Sequence, residues 1–123
     1  MIKKLFVSLL LINFLPVFAT ELDDTLKKYD KVFLYFHAKD WGYCVKFNPY
    51  YNKLEGLYNS KNCKFLKIDA MSSEGNKIGQ NFGVYYLPYV IMIDNNKRQI
   101  RNVVPKCLLN YACVKDATDK FVN

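Results

Sequence analysis

The feature that most constrains how this chain can fold is an unbroken apolar run, Val32-Phe33-Leu34-Tyr35-Phe36. A strand with one wet face alternates apolar and polar residues. A run without alternation is buried on both faces, as in a helix-covered sheet. Helical spacing flanks it. Residues 21–29 put Leu22, Leu26 and Tyr29 on one face, and Phe47, Tyr51, Leu54 and Tyr58 form the stripe of a helix that starts near Gly42 to Cys44. Pro49 lies inside that helix and is expected to kink it. A second strand is expected over 63–69, and a helix over 74–82 closed by Gly83. An apolar strand follows over 89–93, then a hairpin turn at Asp94-Asn95-Asn96-Lys97, an edge strand over 99–104 and a last helix over 108–122. In the last helix Leu109, Cys113, Ala117 and Phe121 are spaced by four. Strands alternating with helices pair in parallel, and the late hairpin adds antiparallel pairing. The expected class is α/β, with a central mixed β-sheet flanked by helices.

The first nineteen residues read differently. Lys3 and Lys4 precede a short apolar stretch from Leu5 to Leu15, and Val17-Phe18-Ala19 offers small residues at a cleavage position. This is the pattern of a secretory signal peptide over 1–19, too short for a membrane span, and it leaves one domain over 20–123. An uncleaved anchor is the alternative. No second stretch is long enough to span a bilayer, so no membrane span is expected after cleavage. The expected location is periplasmic or secreted. The formal charge is +7, and loss of Lys3 and Lys4 leaves +5. The basic residues are scattered, which fits a solvated surface and not a nucleic-acid footprint. Four cysteines in an exported chain imply an oxidising compartment and at least one disulfide.

Four motifs follow one another in a telling order. Phe36-x-Ala38 leads to Trp41-Gly42-Tyr43-Cys44. Pro49 comes five residues after Cys44. Lys67-Ile68-Asp69 precedes a helix and Phe82-Gly83-Val84. Leu87-Pro88-Tyr89 opens an apolar strand. In this order and spacing the chain resembles the thioredoxin family, especially exported bacterial thioredoxin-like proteins, over nearly all of 20–123. The resemblance implies a thioredoxin-like fold with a cis-proline loop at Leu87–Pro88. It also implies a degenerate W-C-x-x-C active site. Aligned without a gap, Cys44 holds the second cysteine's place and Trp41 the first. Aligned with one deletion, Trp41 matches the tryptophan and the first cysteine is missing. Tyr35 stands where many cytosolic relatives bury a carboxylate.

Thiol–disulfide exchange needs a thiolate that can reach a substrate sulfur. In the family the exposed first cysteine gains this from a helix N-terminus, and the more buried second cysteine resolves the mixed disulfide. Cys44 is the candidate catalytic residue, read either as a partly buried, slow thiol or as one that Gly42 exposes to a small thiol. The candidate substrate-binding residues are Trp41, Gly42, Tyr43, Leu87, Pro88 and Tyr89. Trp41 and Tyr43 are expected to cluster with Tyr86 and Tyr89, although Tyr86 or Tyr89 can instead face the core. Cys107 and Cys113, six residues apart, are expected to form a disulfide, with Pro105 holding Cys107 in a loop before the last helix. A Cys44–Cys107 pair is the alternative. Cys113 otherwise reads as a core residue on the apolar stripe, and Cys63 as a buried thiol. No C-x-x-C knuckle or nucleotide-binding loop is present, so no metal and no cofactor are expected. Two function classes remain: a peptide-binding or chaperone-like protein with little redox activity, and a monothiol or non-standard oxidoreductase using Cys44. The expected partners are polypeptide clients or a redox partner protein, with no nucleic acid.

Overall fold

The structure is a computed structural model that describes residues 21–123. The secretory segment expected over 1–19 lies outside the described residues. The elements run α1 (Glu21–Lys28), β1 (Lys31–His37), α2 (Gly42–Tyr58), β2 (Cys63–Asp69) and α3 (Ser73–Asn81). They continue through β3 (Tyr89–Asp94), β4 (Gln99–Val103), α4 (Pro105–Leu108) and α5 (Tyr111–Val122). The four strands form one sheet in the order β2-β1-β3-β4. β1 pairs parallel with β2 and antiparallel with β3, and β3 pairs antiparallel with β4.

The sheet explains the unbroken apolar run. Successive side chains of a strand point to opposite faces. Phe33 and Tyr35 therefore enter one core with Phe47, Tyr51 and Leu54 of α2 and Val114 of α5. Val32, Leu34 and Phe36 enter the other, against Leu22 and Leu26 of α1 and Ile78 of α3. β3 divides in the same way, with Val90 and Met92 on the first face and Tyr89, Ile91 and Ile93 on the second. Every residue from Val32 to Phe36 is fully buried.

Local chemistry sets the boundaries. α1 carries Glu21, Asp23 and Asp24 in its first turn and Lys27 and Lys28 in its last, which complements the helix dipole. The Asn95 side chain donates to the Leu26 and Tyr29 carbonyls, both at 3.0 Å, and ties the β3–β4 turn to the end of α1. Asp94 holds that turn by accepting from the backbone N–H groups of Asn96 and Lys97. Ser72 caps α3 by accepting from Gly75 N–H at 2.9 Å. Gly83, with φ +72°, follows α3 in the left-handed conformation. α2 runs through Pro49 without ending.

The C-terminal helix departs from expectation. Pro105 opens a separate one-turn helix, α4, and Asn110 caps α5 by accepting from Cys113 N–H at 3.1 Å. The buried face of α5 is Val114 and Thr118, one position beyond the expected stripe, with Ala117 and Phe121 packed beside it. Leu109 and Cys113 are exposed. The reading of Cys113 as a core residue is therefore corrected.

Candidate functional site

The strand directions bring the candidate residues to one end of the sheet. β1, β2 and β4 all end there, and β3 begins there, because Phe36 pairs with Tyr89 and Val90 with Val103. The turn after β1 passes through Asp40 at φ 64°, a left-handed conformation that Asp tolerates better than most residues. Trp41 then takes the N-cap of α2 with extended backbone, and its carbonyl accepts from Val45 N–H at 2.9 Å. Gly42, Tyr43 and Cys44 form the first turn. No side chain caps this end and no acidic residue stands in its first turn.

Trp41 is 53% exposed, and Gly42 and Tyr43 are exposed with it. Tyr43 carries the ammonium of Lys46 5.6 Å from its ring centroid. Cys44 turns the other way. It is a free thiol and 0% exposed, packed beneath α2. The gap at Gly42 does not bring its sulfur to the surface.

Tyr35 lies directly under Cys44. Its hydroxyl donates to Asn48 Oδ1 at 2.7 Å and lies 3.4 Å from the Cys44 carbonyl oxygen. Burial, and then the neighbouring Cys44 thiol, push the phenol well above its ordinary range, so it stays neutral and gives this thiol no basic partner. His37 is half-buried with its ring 5.6 Å from that of Tyr35. Burial, followed by the nearby Lys67 ammonium, lowers its pKa against an opposing pull from Asp69.

Across from α2, the Leu87–Pro88 peptide bond is cis. Leu87 is half-buried and Pro88 buried. Tyr89 is only 8% exposed and packs against Phe36, so its side chain belongs to the core and not to a substrate surface. Tyr85, Tyr86 and Tyr89 form a ladder with successive ring centroids 4.8 Å apart. Among the described residues no ring pairing joins Trp41 or Tyr43 to this ladder or to each other, so the expected four-ring cluster does not form. Sequence reasoning missed other members of this end. Tyr85 at its rim is 84% exposed, Met71 just after β2 is exposed, and so is Val104 just after β4. For Met71 and Val104 the one readable signal was position just beyond the end of a strand, and for Tyr85 its place in the loop before Pro88.

Cys107 and Cys113 form a disulfide with Cα atoms 5.2 Å apart, so Cys107 does not pair with Cys44. Cys63 is a free buried thiol at the opposite end of the sheet. Among the described residues no cluster of three or more His, Cys, Asp or Glu side chains could hold a metal ion. No helix among them is long and apolar enough to cross a membrane.

The family model described as Thioredoxin matches residues 13–108. The chain belongs to the thioredoxin family. Among solved structures, a mutant thioredoxin from Halobacterium salinarum is similar with TM-score 0.67 and 24% identity, over 84% of this chain and 84% of that one. The Schistosoma mansoni thioredoxin pre-protein gives TM-score 0.66 and 24% identity, over 83% of this chain and 90% of that one. Mitochondrial thioredoxin 3 from Saccharomyces cerevisiae gives 0.66 and 21%, over 81% and 87%. At these identities the likeness shows the thioredoxin fold. No curated protein matches the chain.

Proposed function

We propose that this thioredoxin-fold protein is exported and binds extended polypeptide at the C-terminal end of its sheet, with little dithiol exchange at Cys44. One observation carries the reading: the N-cap of α2 presents Trp41, and the nearest sulfur, Cys44, is fully buried. A thiolate must reach a substrate sulfur in line, and no thiol is offered at this position. What is offered toward this end of the sheet are the exposed apolar side chains of Trp41, Tyr43, Met71, Tyr85 and Val104, with the cis-proline loop. Aromatic anchors of this kind dominate binding surfaces. The missing first cysteine fits the loss of reductase chemistry, and the secretory pattern over 1–19 fits a periplasmic or secreted location.

The test is isothermal titration calorimetry with a carboxymethylated, permanently unfolded polypeptide. Trp41→Ala should weaken binding by more than about 1 kcal/mol, the usual threshold for an interface anchor. Cys44→Ser should leave affinity unchanged. A monothiol oxidoreductase acting through Cys44 behaves otherwise. It traps thiol clients as mixed disulfides at that residue, and trapping that Cys44→Ser abolishes would replace the binding reading.

A further inference from the structure

The Cys107–Cys113 disulfide is asymmetric. Cys107 is buried in the core on the α2 side of the sheet, beside Phe47 and Leu108. Cys113 is exposed and sits in the first turn of α5, its N–H bound by the Asn110 cap. A twelve-residue helix stands behind it. An exposed cysteine on a helix's first turn, bonded to a buried cysteine beneath, matches the division of labour that dithiol exchange requires. One sulfur meets the partner as a thiolate that the helix end stabilises, and the other is held in reserve to close the bond again. Here the division appears in a pair unrelated to Trp41 and Cys44. The surroundings suit a polypeptide. Val104 and Leu109 are exposed next to the pair, and Tyr111 packs on Tyr50 of α2 at 5.3 Å with the Lys53 ammonium 5.1 Å from its ring.

We propose that Cys107–Cys113 is an exchangeable disulfide that is donated to dithiol polypeptides, with Cys113 as the sulfur that meets the client. A client thiolate attacks Cys113 Sγ and the Cys107–Cys113 bond breaks. Cys107 leaves as a thiolate and takes up a proton. The client's second thiolate then attacks the client sulfur of the mixed disulfide. Cys113 departs as a thiolate and is protonated in turn. The client loses two electrons and two protons and gains a disulfide, and the protein pair gains both. The proposal does not depend on the groove at Trp41, because a short peptide without apolar anchors is a sufficient substrate.

The experiment incubates the oxidised full chain, without air, with a reduced peptide carrying two cysteines. It is quenched with N-ethylmaleimide and the cysteines are mapped by mass spectrometry. The expected result is oxidised peptide with both Cys107 and Cys113 labelled, one pair per peptide disulfide. With the oxidised peptide, Cys107→Ser should accumulate an adduct at Cys113, and Cys113→Ser should lose it. An intact Cys107–Cys113 bond beside a peptide that stays reduced overturns the proposal. So does an adduct located at Cys107 or Cys44. If either variant fails to fold, the unmodified chain alone decides between these outcomes.

Discussion

Tyr35 sets the chemistry of the space beneath Cys44. A carboxylate at this depth could exchange protons with the thiol above it, whereas a phenol held neutral by burial serves as a hydrogen-bond donor and as packing. Tyr35→Phe keeps the packing and leaves Asn48 Oδ1 without this donor. The expected cost is about 1 kcal/mol, read as a lower urea midpoint with an unchanged slope. An unaltered midpoint would mean that water replaces the bond at no loss. Cys63 carries a pH dependence of its own. Burial raises its thiol from an ordinary 9.0 to about 11, against a smaller lowering by Lys31. Between those values the folded chain retains a proton that the unfolded chain has released. Stability is therefore complete below about pH 9 and falls as the pH rises toward 11. Cys63→Ala should make the loss of unfolding free energy between pH 8.5 and 10.5 shallower, the remaining slope belonging to groups such as Tyr51, whose phenol burial also raises. An identical slope would remove Cys63 from the account.

Among the elements, α3 shows how closely a helix can be set against its sheet. The space a Cβ would need at Gly75 is filled by the Asp69 backbone carbonyl, whereas at Gly42 nothing stands in the way. Gly75→Ala must move backbone and should destabilise the fold by about 1–3 kcal/mol. Gly42→Ala, on the open first turn of α2, should be neutral or stabilise by up to about 1 kcal/mol. Thermal melts of the two variants check the contrast, and equal effects would refute it. The strands and α2 were legible in the sequence because each answers to a single local pattern. β1 is an apolar run without alternation, and α2 is a stripe at helical spacing. The C-terminal helix was harder to read because two signals competed. Apolar Leu109 drew the stripe one position early, while the Asn110 cap and the bond from Cys107 to Cys113 fix where α5 begins. The burial of Cys44 agrees with its reading as a partly buried, slow thiol and not with exposure through Gly42. It lies three residues before Phe47 and seven before Tyr51, so it continues the buried stripe of α2.

For the whole molecule, the topology gathers at one sheet end what the sequence scatters from residue 41 to residue 104. Three strands finish there and the fourth begins there, so Trp41 and Tyr85 lie toward the same end as Met71 and Val104, which follow the two edge strands on opposite sides of the sheet. That end carries a helix N-terminus with uncapped N–H groups, a cysteine at its third position and a cis proline. Trp41→Cys completes C-x-x-C, and insulin reduction by dithiothreitol in its presence should rise clearly above the rate with the unmodified chain. Failure to rise would show that the fold does not hold two sulfurs in exchange geometry. The exposure of Trp41 has an optical consequence. The chain has one tryptophan, and it stands half in water while the core is built from phenylalanine and tyrosine. Indole emission from the folded protein should therefore be close to that of a hydrated ring, and melting the core should scarcely shift its colour. A blue shift in that emission will instead signal an arrival, something apolar closing over the first turn of α2.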